Sequence, residues 1–411
     1  MKYITRSLES VLRRAVSEFP AVVLTGPRQS GKTTLLKHLF AGSHAYASLE
    51  PPDIRVAAVE DPRGFLAAYP PPVVFDEIQY APDLLPYIKE DIDTRRDEAG
   101  QYILTGSQNL LVADQISETL AGRAAILRLL PFSRRESLGQ PNRPLPWERT
   151  TPDDNAPSSD PENLWLDFLR GYYPELVANP NRDINLWHSS YIQTYLERDI
   201  RSIRQVGNLT QFQGFVRLLA AHSAQLVNLS NLARDLGVTL NTVKAWLSVL
   251  EATYQVIVLR PHHANVRKRL VKTPKVYFTD VGMLCHLVGL KDPAHAAAGP
   301  MGGPIMETAV LSEIVKTLVS RGIEPEVYFW RTSSGSEVDI LVRDSRGIVP
   351  IEVKLSSTPN PAMASSIHAF RESVKDELSL IDSPQTGFVV HPGNTSLPLG
   401  HGVTALPFRA L

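Results

Sequence analysis

The stretch "GPRQSGKTTLL", residues 26 to 36, comes one threonine after the apolar run "AVVL". Its glycines let backbone N–H groups turn inward at the start of a helix, where the helix dipole favours negative charge. An apolar strand, a glycine-rich loop and a helix are the context in which the spacing G-x-x-x-x-G-K-[ST] predicts a phosphate-binding loop. The residues that fit this spacing are Gly26, Gly31, Lys32 and Thr33.

Two side chains of this loop have specific expected roles. Lys32 would bring a positive charge to the outer phosphates, and the Thr33 hydroxyl would ligate Mg²⁺. The whole loop is predicted to bind a nucleotide cofactor. The binding residues would be Gly26, Pro27, Arg28, Gln29, Ser30, Gly31, Lys32, Thr33 and Thr34.

A second apolar stretch supplies the other half of a nucleotide site. In "PPVVFDEIQ", the run Val73 to Phe75 predicts a buried strand that ends in two acids, Asp76 and Glu77. Asp76 would hold Mg²⁺ through water, and Glu77 would orient or deprotonate the water that attacks the γ-phosphate. We therefore expect ATP and Mg²⁺ as cofactors and an ATPase as the enzyme.

A third strand ends in a polar tip. The stretch "QYILTGSQN" places Ser107 and Asn109 after an apolar run. We expect this strand between the first two, with Ser107 and Asn109 sensing the γ-phosphate.

Residues 1 to about 135 resemble the AAA+ ATPases, in particular a prokaryotic group that carries a C-terminal domain of unknown function. The resemblance covers nearly the whole chain and includes "FDEIQ", "ILTGSQN", "LAGRAAILRLLPFSRRE", "LRGYYPEL" and "YLERDIR". It implies an AAA+ fold, ATP hydrolysis, and assembly into a ring or other closed homo-oligomer. Arg123 is then a candidate arginine finger for a neighbouring subunit, and three other arginines compete for that role: Arg134, Arg135 and Arg198.

Length and composition limit the class of protein. With 411 residues the chain is too long for one core, which indicates two or three domains. The 42 Lys and Arg nearly balance the 43 Asp and Glu, so any surface for nucleic acid must be local. Cys285, the single cysteine, excludes an internal disulfide, and no apolar run suits a membrane span. We expect a cytoplasmic protein without a membrane partner.

The fold class is predicted as α/β. It combines a P-loop parallel-sheet domain, a winged helix-turn-helix middle and a restriction-endonuclease-like α/β C-terminal domain. The expected units are residues 1–137 for the ATPase domain, 138–161 for an exposed proline-rich linker, 162–290 for the helical and winged region, and 304–411 for the C-terminal domain.

The stretch "LSNLARDLGVTLNTVKAWLSVLEATYQVIVLRP", residues 229 to 261, reads as a helix-turn-helix with Gly237 in the turn. The strands of a wing would follow, joined by a segment with four basic residues and no acid: Arg267, Lys268, Arg269 and Lys272. We expect DNA as a partner, held mainly through phosphates. Packing of this unit against protein is the alternative.

A second group of acids lies in "GSEVDILVRDSRGIVPIEVK", residues 335 to 354. Glu352 and Lys354 share a strand face, and Asp339 can lie beside them across a turn. These residues resemble the PD-(D/E)xK nuclease superfamily, which implies a catalytic metal bound by Asp339 and Glu352, with Lys354 aiding the attacking water. A preceding helix would add Glu307, with Glu313 as second choice. A decayed nuclease fold used for packing or DNA docking is the alternative.

Together these features predict an Mg²⁺-dependent AAA+-like ATPase that couples nucleotide turnover to DNA binding or processing, with nuclease activity left open. The alternative is a nucleotide-switched protein-interaction module that cuts nothing.

Overall fold

The computed structural model of the chain describes residues 3–106, 119–149, 161–195, 209–262, 273–374 and 386–411. Several residues with predicted roles lie outside these ranges: Ser107, Asn109, Arg198, Arg267, Lys268, Arg269 and Lys272.

The first described sheet is parallel throughout, which confirms the predicted parallel α/β fold of the N-terminal unit. Its strands lie in the order β2-β3-β4-β1-β5. The strand that ends at the polar tip, β4, therefore lies between the strand before the phosphate loop and the strand that ends at Asp76. The bounds are β1 (Ala21–Thr25), β2 (Ala45–Ser48), β3 (Val73–Asp76), β4 (Tyr102–Gly106) and β5 (Ala124–Arg128).

Helices cover both faces of this sheet. Successive side chains of a strand point to opposite faces, so apolar side chains on each face are buried under helices. Val23, for example, belongs to the core on one face, and Val22 to the core on the other. The helices of this unit are α1 (Glu9–Glu18), α2 (Lys32–Phe40), α3 (Pro52–Glu60), α4 (Pro62–Ala68), α5 (Leu85–Thr94) and α6 (Arg134–Ser137). Short 3-10 turns span Ile78–Tyr80 and Pro82–Leu84.

Helices dominate the middle of the chain. They are α7 (Pro161–Arg170), α8 (Pro174–Ala178), α9 (Ile184–Tyr195), α10 (Leu209–Ala221), α11 (Leu229–Leu236), α12 (Leu240–Ala252), α13 (Val281–Leu287) and α14 (Pro293–Ala298). Between α11 and α12, Gly237 adopts a φ of 65°, which a residue with a Cβ rarely takes. Asn228 and Thr239 cap these two helices through their side chains.

The second sheet crosses the expected boundary between the middle and C-terminal units. Its order among the described residues is β12-β13-β11-β10-β9-β8-β6-β7, so the two strands expected to form a wing extend the C-terminal sheet. The strands are β6 (Val256–Pro261), β7 (Lys275–Phe278), β8 (Val327–Arg331), β9 (Glu337–Asp344), β10 (Gly347–Val353), β11 (Gly387–His391), β12 (Leu397–Gly400) and β13 (Val403–Pro407).

One hydrophobic core joins the middle and the C-terminal units, since a single cluster of buried side chains runs from Leu130 to Leu411. The C-terminal helices are α15 (Gly302–Ser320), most of which is buried, and α16 (Ser365–Val374), with 3-10 turns at Pro361–Ala364 and Phe408–Ala410. The two units are thus packed as one body.

Part of the expected exposed linker packs against the core. Leu145 and Trp147 are buried in the core, and Pro146–Glu148 forms a 3-10 turn. The Arg149 guanidinium donates to the carbonyls of Pro144 and Ala410. Proline-rich sequence suggested exposure, but burial of these two apolar side chains outweighs that tendency.

No helix in the described ranges is both long enough and apolar enough to cross a membrane.

The packing of this segment is testable with two leucines. Leu145 is fully buried, whereas Leu138 is 46% exposed. We expect Leu145→Ala to lower the free energy of unfolding by about 2–5 kcal/mol, because it leaves a cavity in the core. Leu138→Ala should change it by no more than about 0.5 kcal/mol. Equal effects in denaturant unfolding would contradict this packing.

Candidate functional site

The phosphate loop has the backbone shape that its glycines allow. Gly26 has a φ of 146° and Gly31 a φ of 94°, and a Cβ on Gly26 would lie 2.1 Å from the Leu129 carbonyl oxygen. The buried Lys32 ammonium donates to the carbonyls of Gly26 and Pro27, at 2.9 and 3.0 Å. The lysine is therefore held inside the curve of the loop.

Asp76 is the point where the strand ends meet. Its Oδ2 accepts hydrogen bonds from the Thr33 hydroxyl at 2.8 Å and the Tyr46 hydroxyl at 2.6 Å. Its Oδ1 accepts a hydrogen bond from Thr105 at the end of β4. A carboxylate and a hydroxyl side by side are oxygen ligands of the kind that Mg²⁺ prefers, so Asp76 and Thr33 fit the expected ion.

Glu77 lies in a left-handed backbone conformation, with a φ of 62°. For a residue with a Cβ this conformation costs about 1–3 kcal/mol and is most often found at functional sites. Its N–H donates to the Thr105 hydroxyl at 3.1 Å, and its carboxylate accepts a hydrogen bond from Gln79. Neighbours on β4 and in the following turn thus fix the side chain that is predicted to position water.

Ser107 and Asn109 lie outside the described residues, so their sensing role stays a prediction. The residues just before them, Thr105 and Gly106, end β4 beside Asp76 and Gln79. Tyr46 and Gln79 had no predicted role, because nothing in the local sequence shows that their side chains reach the two acids.

Arg6 also contacts the loop and was missed. Its buried guanidinium donates to the Ser30 carbonyl at 3.4 Å and the Leu130 carbonyl at 2.5 Å, and lies 3.2 Å from Glu136 Oε1. It also stacks over the Phe132 ring, with 4.2 Å from its central carbon to the ring centre. In the sequence, Arg6 stands only in the short stretch Arg6-Ser7-Leu8, which by itself indicates no contact with the loop.

A cavity of about 130 Å³ lies beside the phosphate loop. The N-terminal segment, the loop helix and α8 of the middle unit all contribute to its wall. Most of the lining residues are aromatic or aliphatic. The full lining is Tyr3, Ile4, Arg6, Gly31, Thr34, Leu35, Phe132, Pro174 and Ala178.

Arg123 lies at the end of the first sheet that is opposite the phosphate loop. It immediately precedes β5, whose first residue pairs with Ala21, whereas the phosphate loop follows Thr25 at the far end of β1. Its guanidinium pairs with Asp93, at 2.6 Å from Nε to Oδ1. Arg123 can therefore serve as a finger only for a neighbouring subunit, and that role stays a prediction.

Two of the three competing arginines are more deeply buried than Arg123. Arg134 and Arg135 are buried, and Arg135 Nε lies 3.2 Å from Glu313 Oε1. Burial lowers the pKa of Arg135 to about 10, although the Glu313 charge opposes this shift. The backbone N–H groups of both arginines also donate to Glu313. These residues connect the ATPase unit to α15, and Glu313 consequently points away from the C-terminal acids.

The C-terminal hairpin brings its predicted residues together. The Asp339 carboxylate accepts a hydrogen bond from the Val353 N–H at 2.8 Å. Lys354 Nζ lies 2.5 Å from Glu352 Oε1, and the Ser366 hydroxyl donates to Glu352 Oε2 at 2.7 Å. Their proposed roles in catalysis stay predictions.

Lys275, which had no predicted role, lies among these acids. Its Nζ is 2.8 Å from Glu307, 2.5 Å from Glu337 and 3.8 Å from Asp339. Burial alone would lower the pKa of Lys275, but the three carboxylates raise it above its ordinary value. Burial and the Asp339 charge raise the pKa of Glu307 to about 8.

The crowding of acids extends to Glu352, whose pKa is raised to about 7 by burial and the Asp339 charge. In the part of the chain that the structure describes, no group of three or more His, Cys, Asp or Glu side chains is arranged to hold a metal ion. The metal expected at Asp339, Glu352 and Glu307 stays a prediction.

Comparisons with known proteins match three parts of the chain. Residues 18–138 match a family model described as an AAA domain. Together with the loop and the Asp76 contacts, this match supports a nucleotide-binding site. Residues 18–138 are therefore similar to AAA domains and contain a phosphate loop of the P-loop type. Residues 162–294 and 302–411 match two domains of unknown function, DUF8612 and DUF4143.

Curated relatives align along almost the whole chain. Uncharacterized proteins of Mycobacterium tuberculosis and Mycobacterium bovis are each 29% identical over 402 residues, covering 98% of this chain and 83% of the relative. Among solved structures, the Walker-type ATPase PABY2304 of Pyrococcus abyssi is similar, with a TM-score of 0.45 and 16% identity over 70% of this chain and 98% of that chain.

The contact between Tyr46 and Asp76 gives a test of the ion site. We expect Tyr46→Phe to raise the Mg²⁺ concentration needed for half-maximal ATP hydrolysis by about tenfold or more, because Asp76 loses a donor that orients it. Tyr102→Phe is the matched control, since it removes a tyrosine–aspartate hydrogen bond, to Asp91, at the N-terminal end of β4 and away from the ion site. An unchanged Mg²⁺ dependence in Tyr46→Phe would show that this contact does not tune the ion site.

Proposed function

We propose that the protein binds ATP with Mg²⁺ in its P-loop domain and hydrolyses it to ADP and phosphate. The observation that carries this proposal is the convergence of Thr33 and Thr105 on the Asp76 carboxylate, with Glu77 next in the chain. Lys32, Thr33, Asp76 and Glu77 are the residue types that P-loop enzymes use to hydrolyse a γ-phosphate.

Each group has a part in the proposed reaction. Lys32 and the backbone N–H groups of the loop would bind the phosphates, and Thr33 with Asp76 would hold the Mg²⁺ ion, which supplies charge neutralisation of the phosphates. Glu77 would take a proton from the attacking water as the water oxygen bonds to the γ-phosphorus, while the bond from that phosphorus to the bridging oxygen breaks and ADP leaves. Release of Lys32 from the carbonyls of Gly26 and Pro27 would accompany nucleotide binding.

The cavity beside the loop supports a site for the nucleotide base. It lies next to Gly31 and Thr34 at the start of α2, and its wall is mostly aromatic and aliphatic. A planar base favours such a wall, because it buries apolar surface and stacks on aromatic rings. Since Pro174 of the middle unit lies on one side, bound nucleotide would contact two parts of the chain.

Two variants separate binding from hydrolysis. Lys32→Ala should abolish nucleotide binding, because it removes the cation that meets the phosphates. Glu77→Gln should keep nucleotide binding and lose turnover, because the amide cannot accept the proton of water. Calorimetry with a non-hydrolysable ATP analogue and release of phosphate measure the two effects. Normal hydrolysis by Glu77→Gln would exclude Glu77 as the base.

We further propose that turnover is coupled to DNA bound by the helix-turn-helix. One exposed face of α12 supports this proposal, since it carries small polar side chains and a cation at helical spacing: Asn241, Lys244 and Ser248. Such a face suits entry into a DNA groove with contacts to phosphates. A nucleotide-switched protein-interaction module without DNA is the second candidate, favoured by the extension of the C-terminal sheet by β6 and β7.

DNA binding and its salt dependence separate these two candidates. We expect duplex DNA to raise the ATPase rate, and Lys244→Ala to lower the slope of log affinity against log salt by about one. Lys89→Ala, which removes a cation from α5 of the ATPase domain, should leave the slope unchanged. An ATPase rate and a binding signal that both ignore DNA would favour the protein-interaction module.

A further inference from the structure

The Lys275 ammonium occupies the space on which the C-terminal acids converge. Its side chain is 3% exposed and makes ion pairs with carboxylates from two elements, Glu307 of α15 and Glu337 of β9. Asp339, also on β9, lies 3.8 Å away. A buried charge is stable only when opposite charges and hydrogen bonds surround it, and here the carboxylates supply both.

The strand that carries Lys275 fixes its position. Lys275 begins β7 and pairs with Leu259 of β6, so its backbone is held within the sheet. Tyr277, two residues later on the same face of the strand, donates a hydrogen bond to Glu307. Lys275 and Tyr277 of β7 thus both donate hydrogen bonds to the Glu307 carboxylate.

Several other carboxylate oxygens of the cluster also have protein donors. Arg331 donates to Glu337 Oε2 at 2.7 Å, and the Val353 N–H donates to Asp339 Oδ2. Glu352 is held by Lys354 and Ser366. A divalent ion would have to displace these donors, because Mg²⁺ needs oxygen ligands at about 2.0–2.1 Å in near-octahedral geometry. The ion would also be repelled by the Lys275 ammonium at the centre of the cluster.

We propose that Lys275 is the built-in cation of this cluster and that the C-terminal domain works without a divalent metal ion. The proposal is independent of ATP hydrolysis in the P-loop domain. Hydrolysis of a phosphodiester by a site of this type depends on a metal that activates water. With an ammonium in that position, the cluster links β7, α15 and β9 by ion pairs, and the domain does not cleave phosphodiesters.

Replacing the ammonium tests the proposal in the full-length chain. Lys275→Met keeps much of the side-chain volume but leaves the carboxylates facing one another without a cation. We expect a lower midpoint of thermal unfolding, and partial recovery of that midpoint when Mn²⁺ is added without nucleotide. In Lys275→Met combined with Asp339→Asn, Mn²⁺ should give no recovery, because one of the carboxylates is gone.

A second buried lysine provides the matched control. Lys316 is buried in α15 and lies 3.9 Å from Asp280, outside the cluster. Lys316→Met should also lower the midpoint, but Mn²⁺ should not restore it. A Lys275→Met protein that folds and gains no stability from Mn²⁺ would contradict the proposal.

A comparison of the wild-type protein with its Asp339→Asn variant tests the proposal even if Lys275→Met does not fold. We expect both to give the same Mn²⁺ binding curve by calorimetry without nucleotide, and neither to nick supercoiled DNA in Mg²⁺ or Mn²⁺. Any metal binding or nicking by the wild-type protein that Asp339→Asn removes would overturn the proposal.

Discussion

Hydrogen bonds from a helix and two strands meet at the Asp76 carboxylate, and the geometry of the nucleotide site depends on them. Asp76 is nearly fully buried, so the free energy cost of its charge must be offset by donors. Thr33 fixes the loop helix to it, Tyr46 fixes β2, and Thr105 fixes β4. The parallel strand order makes this possible, because it brings the carboxyl ends of these strands to one edge of the sheet.

A second set of buried charges connects the phosphate loop with the rest of the chain. Arg6 bridges the Ser30 carbonyl of the loop and the Glu136 carboxylate of α6. Two residues before Glu136, the backbone N–H of Arg134 donates to Glu313 on the long helix of the C-terminal unit, at 2.6 Å. A buried carboxylate that lost such donors would cost several kcal/mol, so these contacts hold the units in one arrangement.

The N-terminal fold was largely predictable from the sequence, because it depends on local signals. A glycine-rich loop between an apolar strand and a helix, and an apolar strand followed by acids, each specify their own conformation. The hairpin at Asp344 to Gly347 and the helix-turn-helix with Gly237 were predictable for the same reason, since a turn and alternating or helical spacing mark them.

The contacts that the sequence did not reveal are those between distant segments. Lys275 is 32 residues from Glu307 in the chain, and Arg6 is 124 residues from Leu130, so no local pattern links them. The packing of Trp147 was hidden by its proline-rich surroundings, and the joining of β6 and β7 to the C-terminal sheet depends on pairing that only the folded chain shows.

The most direct test of the nucleotide site is a crystal structure of the Glu77→Gln protein with Mg²⁺ and a non-hydrolysable ATP analogue. The Lys32 ammonium should leave the carbonyls of Gly26 and Pro27 for the phosphates, and the Thr33 hydroxyl should ligate the ion beside Asp76. The base should lie between Tyr3 and Pro174. Nucleotide bound elsewhere, or none at saturating concentration, would contradict the assignment of this site.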